Sequence, residues 1–433
     1  LTMRSTLCLG LAASASATVY FQESFADGWD SKWVTSGAKD AKELGEFKHV
    51  APKLGSDDKG IKTGEDARFY QISAKMDSPI NNKGKTLVVQ YSVQHEQDLD
   101  CGGAYIKLLE DGLDQSKFGG DSEYKLMFGP DICGTGTRRT HAILSYDKKS
   151  TEGKLENFLH TKNIKVETDT APHLYTMILK ADDTYDVKID GKSVQDGKIS
   201  ENWEMLHAKK IKDPAQSKPK DWVDDKMISD PEDKKPEGWD DIPKQLPDPE
   251  ASKPDDWDDE DDGEWEAPMV DNKEYKGEFK AKQIENPAYK GEWEHPEIDN
   301  PDYKEDSELH ARCENCNYVG FELWQVKAGT IFDDIFITDS EAEAEAEAKK
   351  FEEKVAAYKK AKEAADAEAK AKAEVKAKAV AHKAALAVVR TTTTETVLAT
   401  EEIEVVEEIV GIGTVVATHL VQAWRGQGKP LRR

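Results

Sequence analysis

Cysteine is scarce in this chain, with 5 in 433 residues, too few for a small scaffold held by disulfides in place of a core. An excess of positive charge is missing too. The 60 Lys and Arg face 86 Asp and Glu, for a net charge of −26, which excludes a nucleic-acid footprint and suits solubility and cation binding. No run of about 18 apolar residues occurs, so no membrane span is expected. There is no Asn-x-Ser/Thr sequon, so the chain is not expected to carry N-glycans itself. Proline is rare outside one region: 12 of 17 fall between Asp213 and Asp306.

That region is built from two sets of repeats. Ile-Lys-Asp-Pro (211–214), Ile-Ser-Asp-Pro (228–231) and Leu-Pro-Asp-Pro (246–249) are each followed by Lys-Pro and then Trp222, Trp239 or Trp257. Units starting at Gly263, Gly277 and Gly291 close on Tyr275, Tyr289 and Tyr303. Fixed spacing reports units that touch mainly their neighbours. Proline denies helix and central strand, and 32 acidic residues against 13 lysines leave no aliphatic core. The expectation is an arm over 206–305 that runs out and folds back, one aromatic per unit packing across it. The alternative is a disordered acidic linker, which has no need to keep aromatics in phase.

Met3 to Ala17 reads as a secretory leader: Arg4, an apolar run Leu7–Ala13, then Ala15-Ser16-Ala17. Cleavage would leave Cys101, Cys133, Cys313 and Cys316 in an oxidising compartment. Residues 18–205 show short alternating strands such as 86–93, 105–109, 175–180 and 184–189, the last followed by the turn pair Asp190-Gly191. The pattern predicts a mainly β chain and a sandwich. Strands at 319–324 and 330–337, within 306–340, read as its returning strands. Ala, Lys and Glu dominate 341–390, one long helix. Residues 391–433 carry no clear signal, and 403–421 is too interrupted by Glu404, Glu407 and Glu408 for an anchor.

The segments 94–107 (Gln-His-Glu-Gln-Asp-Leu-Asp-Cys-Gly-Gly-Ala-Tyr-Ile-Lys), 121–134 (Asp-Ser-Glu-Tyr-Lys-Leu-Met-Phe-Gly-Pro-Asp-Ile-Cys-Gly) and 324–333, with the triplicate repeats between, resemble the calreticulin/calnexin family from about Val19 to Ser340. The resemblance is to its lumenal rather than its membrane-anchored branch. It implies a legume-lectin-like jelly-roll β-sandwich with an inserted proline-rich hairpin arm, followed here by a C-terminal helix. The implied function is a calcium-dependent lectin chaperone of the endoplasmic reticulum lumen, a monomer that binds monoglucosylated N-glycans on folding clients.

The resemblance also implies sites. Tyr105, Lys107, Tyr124, Met127 and Asp131 would line the glucose site, with Glu322, where the family has Asp, and Trp324. Read without the resemblance, the same aromatics are equally well core residues. A Cys101–Cys133 disulfide would fix the strand edge carrying these groups. Calcium would sit at Asp333, with Ser24 and the loop Asp57 to Lys59. Glu260, Asp262, Glu264 and Trp265 at the arm tip would dock a thioredoxin-like disulfide isomerase or a prolyl isomerase, and Trp265 is expected to be partly exposed. Cys313-Glu-Asn-Cys316 departs from the family pattern and reads as a loop staple before a redox pair or half a metal site. The tail departs too, being nearly charge-balanced over 341–390 and lacking the usual retention ending at Arg433, which leaves secretion open. Competing classes are a calcium buffer with a structural sandwich, a jelly-roll glycosidase and a Cys-x-x-Cys oxidoreductase. The glycosidase would need two carboxyls about 5–5.5 Å apart.

Overall fold

The computed structural model describes residues 17–148, 155–257 and 263–392, with side chains to 385. The leader before Ala17, the tail 393–433, Glu260 and Asp262 lie outside the described residues. The chain divides into two compact units, Leu1–Leu206 with Lys304–Arg433, and His207–Tyr303.

The first unit is a sandwich of two eight-stranded antiparallel sheets, the legume-lectin-like jelly roll that the resemblance implied. One sheet runs Lys192–Lys198, Thr184–Ile189, Pro172–Leu179, Leu87–His95, Thr330–Thr338, Gly60–Thr63, Phe47–Val50, with Val19–Glu23 also on Thr330–Thr338. The other runs Glu156–Leu159, Thr137–Tyr146, Leu126–Cys133, Cys101–Gly103, Cys316–Gln325, Arg68–Ile80, Trp33–Thr35. Ile106–Glu110 continues the line of Cys101–Gly103, pairing with both neighbours. Period-two alternation sends Tyr70, Ile72, Ala74, Val319, Phe321 and Leu323 into the core. Phe321 packs there against Phe332 of the opposing sheet at 4.6 Å. Asp190 and Gly191, at φ 51° and 72°, form the predicted hairpin turn.

Leu87–His95 is buried along its whole length, because the helix Glu341–Thr392 covers the outer face of its sheet. Ser340 caps that helix, accepting from the Glu343 N–H at 3.2 Å. Ala344, Phe351 and Tyr358 are buried at intervals of seven, every second turn. Beyond Tyr358 every described side chain is exposed or half-buried, and the helix continues on Ala propensity and i,i+4 pairs such as Glu368–Lys372 at 2.6 Å. Among the described residues no helix is long and apolar enough to cross a membrane.

In the second unit the outward and returning repeats pair as three nested ladders. Lys210–Lys212 lies on Glu297–Asp299, Met227–Ser229 on Gln283–Glu285, and Gln245–Pro247 on Met269–Asp271. The aromatics do more than pack. The indoles of Trp222, Trp239 and Trp257 donate across to the carbonyls of Gly291, Gly277 and Gly263 at 2.8, 2.9 and 2.8 Å. Those three glycines have φ of 87°, 78° and 84°, a conformation costly for other residues. Asn272, Asn286 and Asn300 reciprocate, their amides donating to Pro243, Asp225 and Ala208 carbonyls at 2.8, 2.9 and 2.8 Å. The acidic-linker alternative thus gives way to a hydrogen-bonded hairpin. Trp265 is half-buried.

Candidate functional site

Ladder register decides which side chains share the face opposite the core. Lys107 lies across from Met127 on one side and Gly320 on the other. Glu322 and Trp324 lie across from Gln71 and Phe69. Asp131 and Gly129 pair with Arg139 and His141. One face therefore carries Phe69, Gln71, Trp324, Glu322, Tyr105, Lys107, Met127, Asp131, Arg139 and His141, in order across five strands.

The sequence-predicted residues converge on it. The Lys107 ammonium is 2.9 Å from Glu322 Oε2 and 4.8 Å from the centroid of Tyr124. Tyr105 stacks on His141, centroids 6.2 Å apart, and His141 Nε2 is 3.4 Å from Asp131 Oδ2. Trp324 is 37% exposed, its ring backed by Phe69 at 4.6 Å. Gly129, at φ 130°, is required where it stands: a Cβ there would lie 1.7 Å from the Tyr91 hydroxyl. Tyr91 donates to the Ala104 carbonyl at 2.8 Å and so holds the segment before Tyr105. Cys101 and Cys133, directly opposed, are disulfide-bonded.

Burial, then the charge of Glu322, pushes the phenols of Tyr105 and Tyr124 up, so both remain neutral donors at pH 7. Burial raises Asp131 as well, against the pull of His141 and Arg139. The face thus offers phenols, an ammonium, carboxylates and an exposed indole, a set that reads hydroxyls and stacks on a sugar ring. Local sequence does not single out Phe69, Gln71, Arg139 and His141. Alternation along 68–72 pairs Phe69 with Gln71, but only the ladder brings them to Trp324 and Glu322. Both amide atoms of Gln71, Arg139 Nε and His141 Nδ1 are buried without hydrogen-bond partners.

A second constellation surrounds Asp333. The ladder of Thr330–Thr338 with Leu87–His95 bulges after Asp333, and Asp334 sits at φ 51°. That break cancels alternation, so two consecutive carboxylates reach one point. Asp58 joins them, ligand atoms all within 4.8 Å. Lys354 of the helix bonds all three, at 2.8, 2.8 and 2.7 Å from Asp58, Asp333 and Asp334. Burial and the adjacent Asp334 hold the Asp333 carboxyl above the usual range, against the pull of Lys354. An all-oxygen set, with Asp333 Oδ1 buried and unpartnered, fits a hard cation such as Ca2+. The expected loop is present, but its carboxylate here is Asp58 rather than Asp57, and the Lys59 ammonium turns to Asp27 at 3.0 Å. Ser24 follows Glu23, the last residue paired to Thr330–Thr338.

Cys313 and Cys316 are disulfide-bonded and fully buried, a loop staple inaccessible to thiol exchange. Asn82 pins the same loop, its side chain accepting from the Cys313 N–H at 3.0 Å and donating to the His310 carbonyl at 2.7 Å. At the arm tip Glu264 is exposed beside half-buried Trp265.

A jelly-roll sandwich with this polar, aromatic face and an inserted repeat hairpin defines a lectin-type protein. The chain belongs to the calreticulin family, a family of lectin chaperones, whose sequence profile matches residues 21–263 and 260–337. It is 53% identical to calreticulins of Caenorhabditis briggsae and Caenorhabditis elegans over 369 residues, 84% of this chain and 90% of each relative. Identity with Chlamydomonas reinhardtii calreticulin is 54% over 335 residues, 76% of this chain and 78% of that one. Among solved structures, the Trypanosoma cruzi calreticulin globular domain aligns with TM-score 0.55 and 31% identity, covering 81% of this chain and 99% of that one.

Proposed function

We propose that this protein is a calcium-dependent lectin chaperone of the endoplasmic reticulum lumen that binds monoglucosylated N-glycans on folding glycoproteins. The observation carrying this reading is the convergence of Tyr105, Lys107, Tyr124, Met127, Asp131, Glu322 and Trp324 on one face. Neutral phenols donate to sugar hydroxyls, Glu322 accepts from them while anchoring Lys107, and the Trp324 ring supplies a platform. Lys107 is almost wholly buried, so its ion pair holds the donors in place before ligand arrives.

Calcium is assigned to Asp58, Asp333 and Asp334, where it would cross-link a loop and a central strand of the unliganded sandwich. The arm tip, with Glu264 and Trp265 and the neighbouring Glu260 and Asp262, is assigned to a thioredoxin-like disulfide isomerase or a prolyl isomerase. An indole among carboxylates suits a basic partner with an apolar pocket. A glycan array with and without calcium tests the reading. Glucose-terminated binding lost in Tyr105→Ala supports it. Calcium uptake without any glycan would make the protein a buffer, and consumption of glycan would make it an enzyme.

A further inference from the structure

The site assigned to calcium already holds a cation, and the chain itself supplies it. The Lys354 ammonium lies 2.8 Å from Asp58 Oδ2, 2.8 Å from Asp333 Oδ2 and 2.7 Å from Asp334 Oδ1. The ligand oxygens of these three residues all lie within 4.8 Å of one another, so one small cation can touch all three and a second cannot. Calcium takes oxygens at about 2.3–2.6 Å. The ammonium stands in the same place at a slightly longer radius.

A docked stretch of helix brings Lys354 there. Phe351 and Tyr358, about one turn before and one turn after it, are both buried. The hydroxyls of Tyr358 and Thr170 meet at 2.8 Å. The loop that carries Asp58 touches the same stretch: a Cβ on Gly55, at φ 104°, would lie 2.8 Å from Tyr358 Cα. Among the described residues Tyr358 is the last buried side chain of the helix. The first turns hold on separately. Ala344 is buried there, and Glu341 and Glu345 pair with Lys180 and Lys188 at 3.5 and 3.7 Å.

We propose that Lys354 is a built-in competitor for calcium, so that calcium binding and docking of the helix stretch 351–358 weaken each other. A divalent ion on these oxygens repels the ammonium and takes its partners. Lys354 then loses three carboxylates at once, and the stretch rests on Phe351, Tyr358 and the Thr170 contact. Coupling between two binding events is reciprocal. The factor by which the docked lysine weakens calcium is therefore the factor by which calcium loosens the helix. The inference rests on the calcium assignment and adds its regulation: helix docking sets the calcium concentration at which the site fills, and calcium frees the helix beyond its first turns.

The test uses the full chain, in chelator and in millimolar calcium, with calorimetry for binding and amide hydrogen exchange for docking. Wild type, Lys354→Met and Asp333→Ala are compared. An undocked helix is marginal in water, so undocking shows as faster exchange. Calcium should quicken exchange over 351–358 of wild type about tenfold and leave 343–347 unchanged. Lys354→Met should bind calcium about tenfold more tightly, and its 351–358 stretch should exchange fast with or without calcium. Sodium chloride at matched ionic strength should not reproduce the effect, because partly buried pairs are screened little. Three results overturn the inference and leave the calcium assignment standing. One is calcium binding that needs Asp333 while exchange over 351–358 stays unchanged or slows. The others are equal calcium affinities of wild type and Lys354→Met, and quickening by sodium chloride equal to that by calcium. Absence of any Asp333-dependent calcium binding, in wild type and in Lys354→Met, overturns both.

Discussion

Lys107 and Glu322 form a nearly buried ion pair inside the proposed binding face. Breaking one half strands the other, so Glu322→Gln should cost about 3 kcal/mol in denaturant unfolding. The double variant Lys107→Met, Glu322→Leu should recover much of that and still lack sugar binding. His95 is a different kind of buried group. Its Nδ1 meets the Thr330 hydroxyl at 3.0 Å, and burial, helped by the nearby His173, pulls its pKa down to about 4. The unfolded chain takes that proton near pH 6.5. The folded state therefore binds fewer protons between those values, and stability falls as pH drops through the window, by about 3 kcal/mol across it. His95→Leu should flatten that part of a melting-temperature profile; an unchanged slope would show that other groups govern it. Residues such as Tyr105 and Lys107 were legible only through the family resemblance of 94–107, since without it they read equally well as core. Gln71 was not, because its place depends on register with Glu322, about 250 residues away, and His141 was not, because its place depends on the exact register of 137–146 on 126–133, which no local pattern encodes.

At the scale of elements, repeats and alternation carried most of the information. Proline density, the Asp-Pro pairs and one tryptophan per period were enough to read a hairpin. The partner of each indole was not, since a glycine carbonyl leaves no side-chain signal. The recurring Asn of the returning units is likewise silent in the sequence, because its amide donates to backbone carbonyls. Each rung should be a local unit of stability. Trp239→Phe removes one indole hydrogen bond, worth about 1 kcal/mol, and Gly277→Ala places a side chain at φ 78° for a similar cost. Hydrogen exchange should quicken at Ile228 and Ile284, the pair on the adjoining ladder, and stay unchanged at Ile211 and Ile298. Uniform acceleration along the arm would mean that the rungs melt together. The bulge at Asp333 was also beyond sequence reading. A left-handed aspartate in a strand looks like any other Asp until its backbone is seen.

For the molecule as a whole, the cation site ties the sandwich to the C-terminal helix through Lys354, which sits among the carboxylates proposed for calcium. Calcium that binds the folded state should raise the melting temperature by mass action. Chelator should therefore lower it in wild type and barely move Asp333→Ala, while Lys354→Ala should bind calcium more tightly because no tethered ammonium competes. Equal chelator shifts in wild type and Asp333→Ala would place the ion elsewhere. The nested arm has a consequence for how such a chain can change length over generations. Its pairing joins an outward period of 17 or 18 residues to a returning period of 14, two stretches that are not contiguous in the coding sequence. Duplicating or losing one alone leaves an unpartnered strand and a tryptophan without its carbonyl. Arm lengths are therefore reachable only in paired steps, so a shortened variant lacking one matched pair of periods should fold, and variants lacking either half should be cleaved rapidly by protease.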